Sequence, residues 1–178
     1  MSNFHDYSLV RLFSRDRDQI VEHIWQLSDD DLYLRFGHPV KESHITKYVG
    51  TTTQESAIQD NFWWGILDEG KLIATIHVAA RDDVAEFAFT TDANYRGQKL
   101  GQLLFARGYQ LITERKITRI YMACLSQNAA IRHIAKKFGM SVMTYGSDAE
   151  ASVTIQYPVP LSRLHEVKNC FIDKAIGK

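Results

Sequence analysis

Three β-prone segments separated by two short turn signals set the tightest limit on what this chain can fold into. Residues 62–67 carry Phe62, Trp63, Trp64 and Ile66. Asp68-Glu69-Gly70 breaks the run, and Lys71-Leu72-Ile73-Ala74-Thr75-Ile76-His77-Val78 resumes it. After Arg81-Asp82-Asp83 a third segment covers 84–91. Branched and aromatic residues favour extended backbone, and connections this short join neighbouring strands only in the antiparallel sense. The middle of the chain is therefore an antiparallel meander. Beyond it the apolar period lengthens. Residues 100–115 read as a long helix, 119–124 as a strand and 128–138 as a helix; 141–145 and 151–157 read as a last strand pair, stopped by Pro158 and Pro160. A meander followed by strand–helix units makes an α+β domain.

The first third is more helical. Residues 7–13 read as a short strand. Asp16 or Asp18 caps a helix running to about Leu27, with Ile20, Val21, Ile24, Trp25 and Leu27 on its apolar stripe. Ser28-Asp29-Asp30-Asp31 is a second cap, before a brief helix that holds Leu32, Tyr33 and Phe36 and is broken by Gly37 and Pro39. Residues 42–60 form a polar helical segment. At the other end Leu161, Leu164, Val167, Phe171, Ile172 and Ala175 fall near one helical face. That stripe suits a helix packed on its own domain or a dimer contact, so both a monomer and a homodimer stay open.

Several classes are disfavoured. The 178 residues carry 21 basic and 21 acidic side chains, and this balance argues against a dedicated nucleic-acid binder. No stretch approaches the eighteen or so apolar residues of a membrane span, and Met1-Ser2-Asn3-Phe4-His5-Asp6 lacks the pattern of a secretory signal. Cys124 and Cys170 make neither a disulfide framework nor a metal cluster. A cytoplasmic protein without a metal is expected.

The segment richest in chemistry is Tyr95-Arg96-Gly97-Gln98-Lys99-Leu100-Gly101, which follows a strand and opens a helix. Unpaired backbone amides at a helix start, and the positive end of its dipole, suit phosphate oxygens. Gly97 and Gly101 permit a turn and a close ligand approach, although the same glycines also suit a purely structural turn. Arg96 and Lys99 can add charge-assisted contacts. The stretch has neither the G-x-G-x-x-G of dinucleotide folds nor the Gly-Lys-Ser/Thr of a P-loop.

Ala85-Glu86-Phe87-Ala88-Phe89, then Arg96 to Gly101, then Asn128 and Lys137-Phe138-Gly139-Met140 together resemble the GNAT superfamily of acyl-CoA-dependent N-acyltransferases. The resemblance covers roughly 62–145. It implies one domain over 1–178, with 159–178 a helical extension and a mixed, mostly antiparallel sheet that contains a splayed strand pair. It also implies acetyl-CoA as cosubstrate. Its pyrophosphate would lie on the amides of Gln98, Lys99, Leu100 and Gly101, beside Arg96 and Gly97. Its pantetheine arm would run past Phe89, Thr90 and Thr91, between the 84–91 and 119–124 strands, and reach Asn128.

Two positions depart from the family pattern. Lys99 stands where a glycine is usual, and Ala135 stands where many relatives carry a tyrosine thought to protonate the leaving thiolate. The resemblance is nearest to the branch that acetylates protein lysines. A protein lysine, a polyamine or another small primary amine all remain possible acceptors. A non-catalytic acyl-CoA sensor with the same fold is the alternative, supported by Ala135.

Residue chemistry narrows the roles. An ammonium acceptor must lose a proton before it attacks a thioester, and Glu86 is the first candidate base; the alternative is a solvent-facing or arginine-paired glutamate. His77 is the second candidate, against a structural histidine. Cys124 has no evident activating partner in the sequence, so direct transfer in a ternary complex is favoured over an acyl-cysteine. Asn128 can cap its helix as well as touch a cofactor. Trp63 and Trp64 point to opposite faces of a strand, one to the core and one to the acceptor cleft. Arg132, Lys136 and Lys137 read as a solvated helix face, the alternative being that one of them reaches the 3′-phosphate of the cosubstrate.

Overall fold

The computed structural model describes residues 7–175. Its strands are β1 (Ser8–Leu12), β2 (Asn61–Asp68), β3 (Lys71–Arg81), β4 (Val84–Thr91), β5 (Arg119–Leu125), β6 (Ser141–Tyr145) and β7 (Asp148–Thr154). Its helices are α1 (Arg17–Trp25), α2 (Asp29–Phe36), α3 (Glu42–Thr53), α4 (Leu100–Glu114), α5 (Ala129–Lys137) and α6 (Leu161–Ala175). The seven strands form one sheet in the order β1-β2-β3-β4-β5-β7-β6. Every neighbouring pair is antiparallel except β4 and β5. The α+β reading and the mixed, mostly antiparallel sheet are borne out.

Alternation along the strands creates two cores. Ile76, Val78, Phe87, Phe89, Ile120 and Met122 point to one face, where α4 and α5 lie. Phe105 of α4 stacks on Phe138 at 4.0 Å and meets Phe87 at 5.3 Å. Leu12, Trp63 and Leu72 point to the other face, against Ile20, Ile24, Leu32, Ile45 and Val49 of α1, α2 and α3. Both adjacent tryptophans are buried, at 2% and 4% exposure for Trp63 and Trp64. The expected cleft-lining tryptophan is therefore corrected: each ring belongs to a core.

The local signals work as the sequence chemistry requires. Ser28 caps α2 by accepting the Asp31 amide at 3.2 Å, and Gly37 ends that helix with φ of 76°. Two expected spans shift. Helix α3 stops at Thr53 instead of running to residue 60, and a 3-10 turn at Glu55–Ala57 takes over. The last strand is Asp148–Thr154 and not 151–157. The Tyr157 hydroxyl donates to the carbonyls of Ile112 and Ile117 at 3.2 and 2.9 Å, which draws the chain out of the sheet toward the end of α4. Helix α6 packs on α4, with Val167 buried. The side chains of Leu161, Phe171, Ile172 and Ala175, and residues 1–6, lie outside the described set.

Close approach of α4 to the sheet depends on Gly108. A Cβ there would sit 2.8 and 2.9 Å from Phe87 ring carbons and 3.1 Å from Ile76 Cδ1. Aromatic carbons wedged in a core cannot yield that distance cheaply. Gly108→Val is expected to destabilise the fold by about 2 kcal/mol or more through overpacking, read from the midpoint of urea unfolding. An unchanged midpoint would contradict this packing.

Candidate active site

Among the described residues, the one parallel pairing in the sheet is also the shortest of its ladders. Val84, Ala85 and Glu86 of β4 face Arg119, Ile120 and Tyr121 of β5, and pairing stops there. From 87 to 91, β4 has a strand partner on the β3 side only. This is the splayed pair expected from the sequence. The backbone groups on its open edge require another partner, since extended backbone carries one donor and one acceptor per residue.

The loop beyond β4 leads from that opening to the start of α4. Asp92 accepts the Asn94 amide at 2.9 Å and pairs with Lys71 at 3.2 Å; the Tyr95 hydroxyl donates to Asp68 at 2.9 Å. These contacts tie the loop to the β2–β3 turn. Gly97 and Lys99 then take left-handed φ of 76° and 60°. A left-handed backbone costs a residue with a Cβ of order 1 kcal/mol, which is why glycine is the usual choice where Lys99 stands. The amides of Gln102 and Leu103 both bond to the Lys99 carbonyl at 3.1 Å. Among the described residues, no acceptor meets the amides of residues 97–101. Five consecutive free donors at the start of a fifteen-residue helix fit an oxyanion group such as a pyrophosphate.

The structure refines the side chains expected there. Arg96 forms an ion pair with Asp31 of α2, so its guanidinium is already held. The Gln98 side chain accepts from the Tyr7 hydroxyl. A Cβ on Gly101 would stand 2.8 Å from Ile134 Cδ1, so this glycine also serves the α4–α5 contact. Phe89 stacks on Phe105, and the Thr90 hydroxyl is buried against His23 and Thr75. For these two residues the expected ligand contact is left to the backbone. Asn128 caps α5, accepting the Ile131 amide at 3.2 Å.

Glu86 stands on the last rung of the β4–β5 ladder, exposed, with no hydrogen bond or ion pair among the described residues. Its register neighbours are Ala79 on β3 and Tyr121 on β5. The Tyr121 hydroxyl donates to Glu150 at 3.0 Å. Burial, followed by that bond and by the Glu150 and Glu86 charges, raises the phenol to about 12. Tyr121 and Glu150 were not singled out in the sequence; only the β4–β5–β7 register brings them beside Glu86.

His77 does not join them. Its Nε2–H donates to Asn61 Oδ1 at 2.9 Å, and its Nδ1 accepts from the Tyr48 hydroxyl at 2.6 Å, which in turn accepts from Arg35 at 2.8 Å. Both ring nitrogens are used. Burial, with the Arg35 and Arg11 charges, holds the ring down to about 3. His23 is similarly enclosed, with Nδ1 on the Leu72 carbonyl at 3.0 Å and Nε2 on Thr90 at 2.9 Å, and burial lowers it to about 4. Burial likewise pushes the Cys124 thiol up, away from the thiolate a nucleophile needs. Ala135 is fully buried in the main core, and the Tyr145 hydroxyl, at the sheet edge, contacts the Met143 sulfur at 3.4 Å. Ala135, on α5 where the resemblance leads to the expectation of a tyrosine in many relatives, has no proton to donate.

With this geometry in place, comparison with known proteins defines the class. The acetyltransferase (GNAT) family model matches residues 21–140. The chain belongs to the GNAT family, whose cosubstrate is acetyl-CoA. Among solved structures it resembles the GNAT domain of PAT from S. lividans at 19% identity and a TM-score of 0.72, covering 83% of this chain and 89% of that one. It also resembles the PaiA N-acetyltransferase of Thermoplasma acidophilum, solved with coenzyme A, at 17% identity and a TM-score of 0.61, covering 86% and 99%. The ribosomal-protein-S5-alanine acetyltransferase of Vibrio fischeri matches at 12% identity and a TM-score of 0.69, covering 89% and 98%. At these identities the likeness is one of fold. No curated protein matches the chain.

The two buried histidines give the domain a defined acid response. Each is neutral in the folded chain, with its titration moved from the ordinary 6.5 or so down to about 4 and about 3. As pH falls through about 6.5, the unfolded chain binds two protons that the folded chain refuses. The stability contributed by the neutral rings is complete above that pH and is lost as pH drops toward the folded values. Together they are expected to contribute a slope of up to about 2.7 kcal/mol per pH unit to urea-unfolding free energy between roughly pH 6 and 4.5. His77→Gln should remove about half of that slope. The same slope in the variant would contradict the neutral, enclosed assignment.

Proposed function

We propose that this chain is an N-acetyltransferase that moves the acetyl group of acetyl-CoA onto a primary amine by direct transfer, with Glu86 as the base. The observation that carries this reading is one of position. The free amides of 97–101, the open edge of β4 over 87–91 and the unpaired carboxylate of Glu86 lie along one continuous path. A ligand long enough to place a diphosphate on the first and an acyl group at the last has the form of acyl-CoA.

Acetyl-CoA supplies the acyl group as a thioester. The chain's own residues do the rest. Amides of Gln98, Lys99, Leu100 and Gly101 hold the pyrophosphate, with Gly97 shaping the turn and Lys99 adding charge. Arg96 is recruited if the phosphate displaces Asp31 from it. The open edge of β4, including the backbone of Phe89, Thr90 and Thr91, pairs with the amide groups of the pantetheine arm. The free Nδ2 of Asn128 donates to the same arm. Glu86 accepts a proton from the acceptor ammonium, leaving a neutral amine whose nitrogen forms the new C–N bond as the C–S bond breaks. The nitrogen sheds its second proton to solvent water as the amide forms, and with Ala135 in place of a tyrosine the departing thiolate takes its proton from water. The raised Cys124 thiol supports direct transfer over an acyl-cysteine route.

The acceptor is a protein lysine, a polyamine or another small primary amine. The Ala135 position also favours a second reading, an acyl-CoA sensor that binds but does not transfer. A thiol-release assay with a panel of lysine peptides, polyamines and aminoglycosides separates the two, because a sensor binds acetyl-CoA and releases no thiol with any of them. In the enzyme, Glu86→Gln should lower kcat by about a hundredfold or more with little change in the KM for acetyl-CoA. Equal kcat for wild type and variant at saturating acceptor, over roughly pH 6 to 9, would remove Glu86 as the base.

A further inference from the structure

Away from the acyl-CoA path, three arginines gather where, among the described residues, no acidic side chain pairs with them. The guanidinium carbon of Arg11, in β1, lies 4.7 Å from the Phe62 ring centre and 4.4 Å from that of Trp64. Arg107 of α4 lies 4.9 Å over Trp64, and Arg115, which caps the end of α4, lies 4.4 Å over Phe62. The two rings are themselves stacked, 6.2 Å apart and 16° from parallel. Three cations therefore share one aromatic platform on β2. Their hydrogen bonds go to neutral acceptors: Arg11 Nη2 to the Asn61 carbonyl at 3.4 Å, Arg107 to Gln110 at 2.8 Å and Arg115 to the Gln59 carbonyl at 3.0 Å. Among the described residues no carboxylate forms an ion pair with any of the three.

Two consequences mark the cluster as incomplete. Arg11 Nη1 is buried without a hydrogen-bond partner, and it is the only such side-chain atom among the described residues. A buried donor without a partner is rare in folded proteins, and an anion is one group that would satisfy it. Secondly, burial and then the Arg107 and Arg115 charges hold Arg11 down to about 10. The aromatic faces attract each cation, but they do nothing to relieve the repulsion among the three.

We propose that Arg11, Arg107 and Arg115 form a binding site for a phosphate-class oxyanion. A tetrahedral dianion suits three guanidiniums arriving from β1 and from two points on α4 better than a carboxylate does, since a carboxylate presents two oxygens in one plane. Arg115 is exposed and Arg107 and Arg11 are partly exposed, so solvent reaches the cluster. The site is distinct from the start of α4. Arg107 and Arg115 lie on the order of 10 and 20 Å along the helix axis from Leu100. β1 and β2 form one margin of the sheet, away from the β4–β5 opening.

The test is calorimetric titration of inorganic phosphate, and separately of glycerol phosphate, into wild type, Arg107→Gln, Arg115→Gln and the double variant at matched ionic strength. Any phosphate taken up at the start of α4 contributes equally to all four proteins. Saturable binding in wild type that weakens at least tenfold in each single variant, and vanishes in the double, supports the site. Tighter binding of the ester identifies a phosphomonoester as the ligand type, and equal binding identifies free phosphate. Thermal unfolding without phosphate checks the fold, and each variant should still melt in a single cooperative transition. Binding that is the same in all four proteins, an adventitious ion only, or no binding in wild type overturns the proposal.

Discussion

The architecture depends on a ladder that stops early. Parallel pairing of β4 with β5 lasts for three residue pairs, whereas β5 and β7 pair over seven. A sheet opened in its middle loses hydrogen bonds that a continuous one would keep. It holds together here because both faces are covered: α4 and α5 close one core, and α1, α2 and α3 close the other. The helix that bridges the gap in sequence, α4, is anchored close to the sheet by Gly108. The opening is thus fixed by packing on either side, and the backbone of β4 along it has no strand partner on the β5 side among the described residues.

The loop at the head of α4 is prepared at a cost. Lys99 keeps a left-handed backbone that glycine would adopt without strain, and the reward is a positive side chain beside five free amides. Arg96 on Asp31 shows the opposite arrangement, a charge already neutralised within the chain. On the acceptor side the polar groups divide in the same way. His77, Tyr48, Arg35 and Asn61 satisfy one another and hold α2 and α3 to the sheet. Glu86 has no hydrogen bond or ion pair among the described residues, which leaves its carboxylate available where their polar groups are committed.

Much of this was legible in the residues. Asp68-Glu69-Gly70 and Arg81-Asp82-Asp83 fixed two hairpins, because short polar turns leave no other way to join strands. Ser28 and Gly37 marked both ends of α2, since caps act locally. What stayed hidden was set by register and long-range packing. Nothing near Tyr121 in sequence says that it faces Glu86, and nothing near Thr90 says that its hydroxyl is claimed by His23, sixty-seven residues away. The end of the final strand was misplaced for the same reason: Tyr157 is pulled off the sheet by carbonyls of Ile112 and Ile117. Lys99 was legible as a departure from a pattern, but its left-handed φ, the reason glycine is usual there, required coordinates.

A phosphate-bearing acyl donor lying on the amides of 97–101 and running along the open edge of β4 would perturb those amides on binding. Backbone amide NMR during titration with acetyl-CoA tests this placement most directly. Saturable shifts are expected that are largest at Gly97, Gln98, Lys99, Leu100 and Gly101 and continue through residues 87–91, with the amides of β1 and β2 unmoved. Shifts confined to other parts of the sheet, or none at saturating acetyl-CoA, would contradict it.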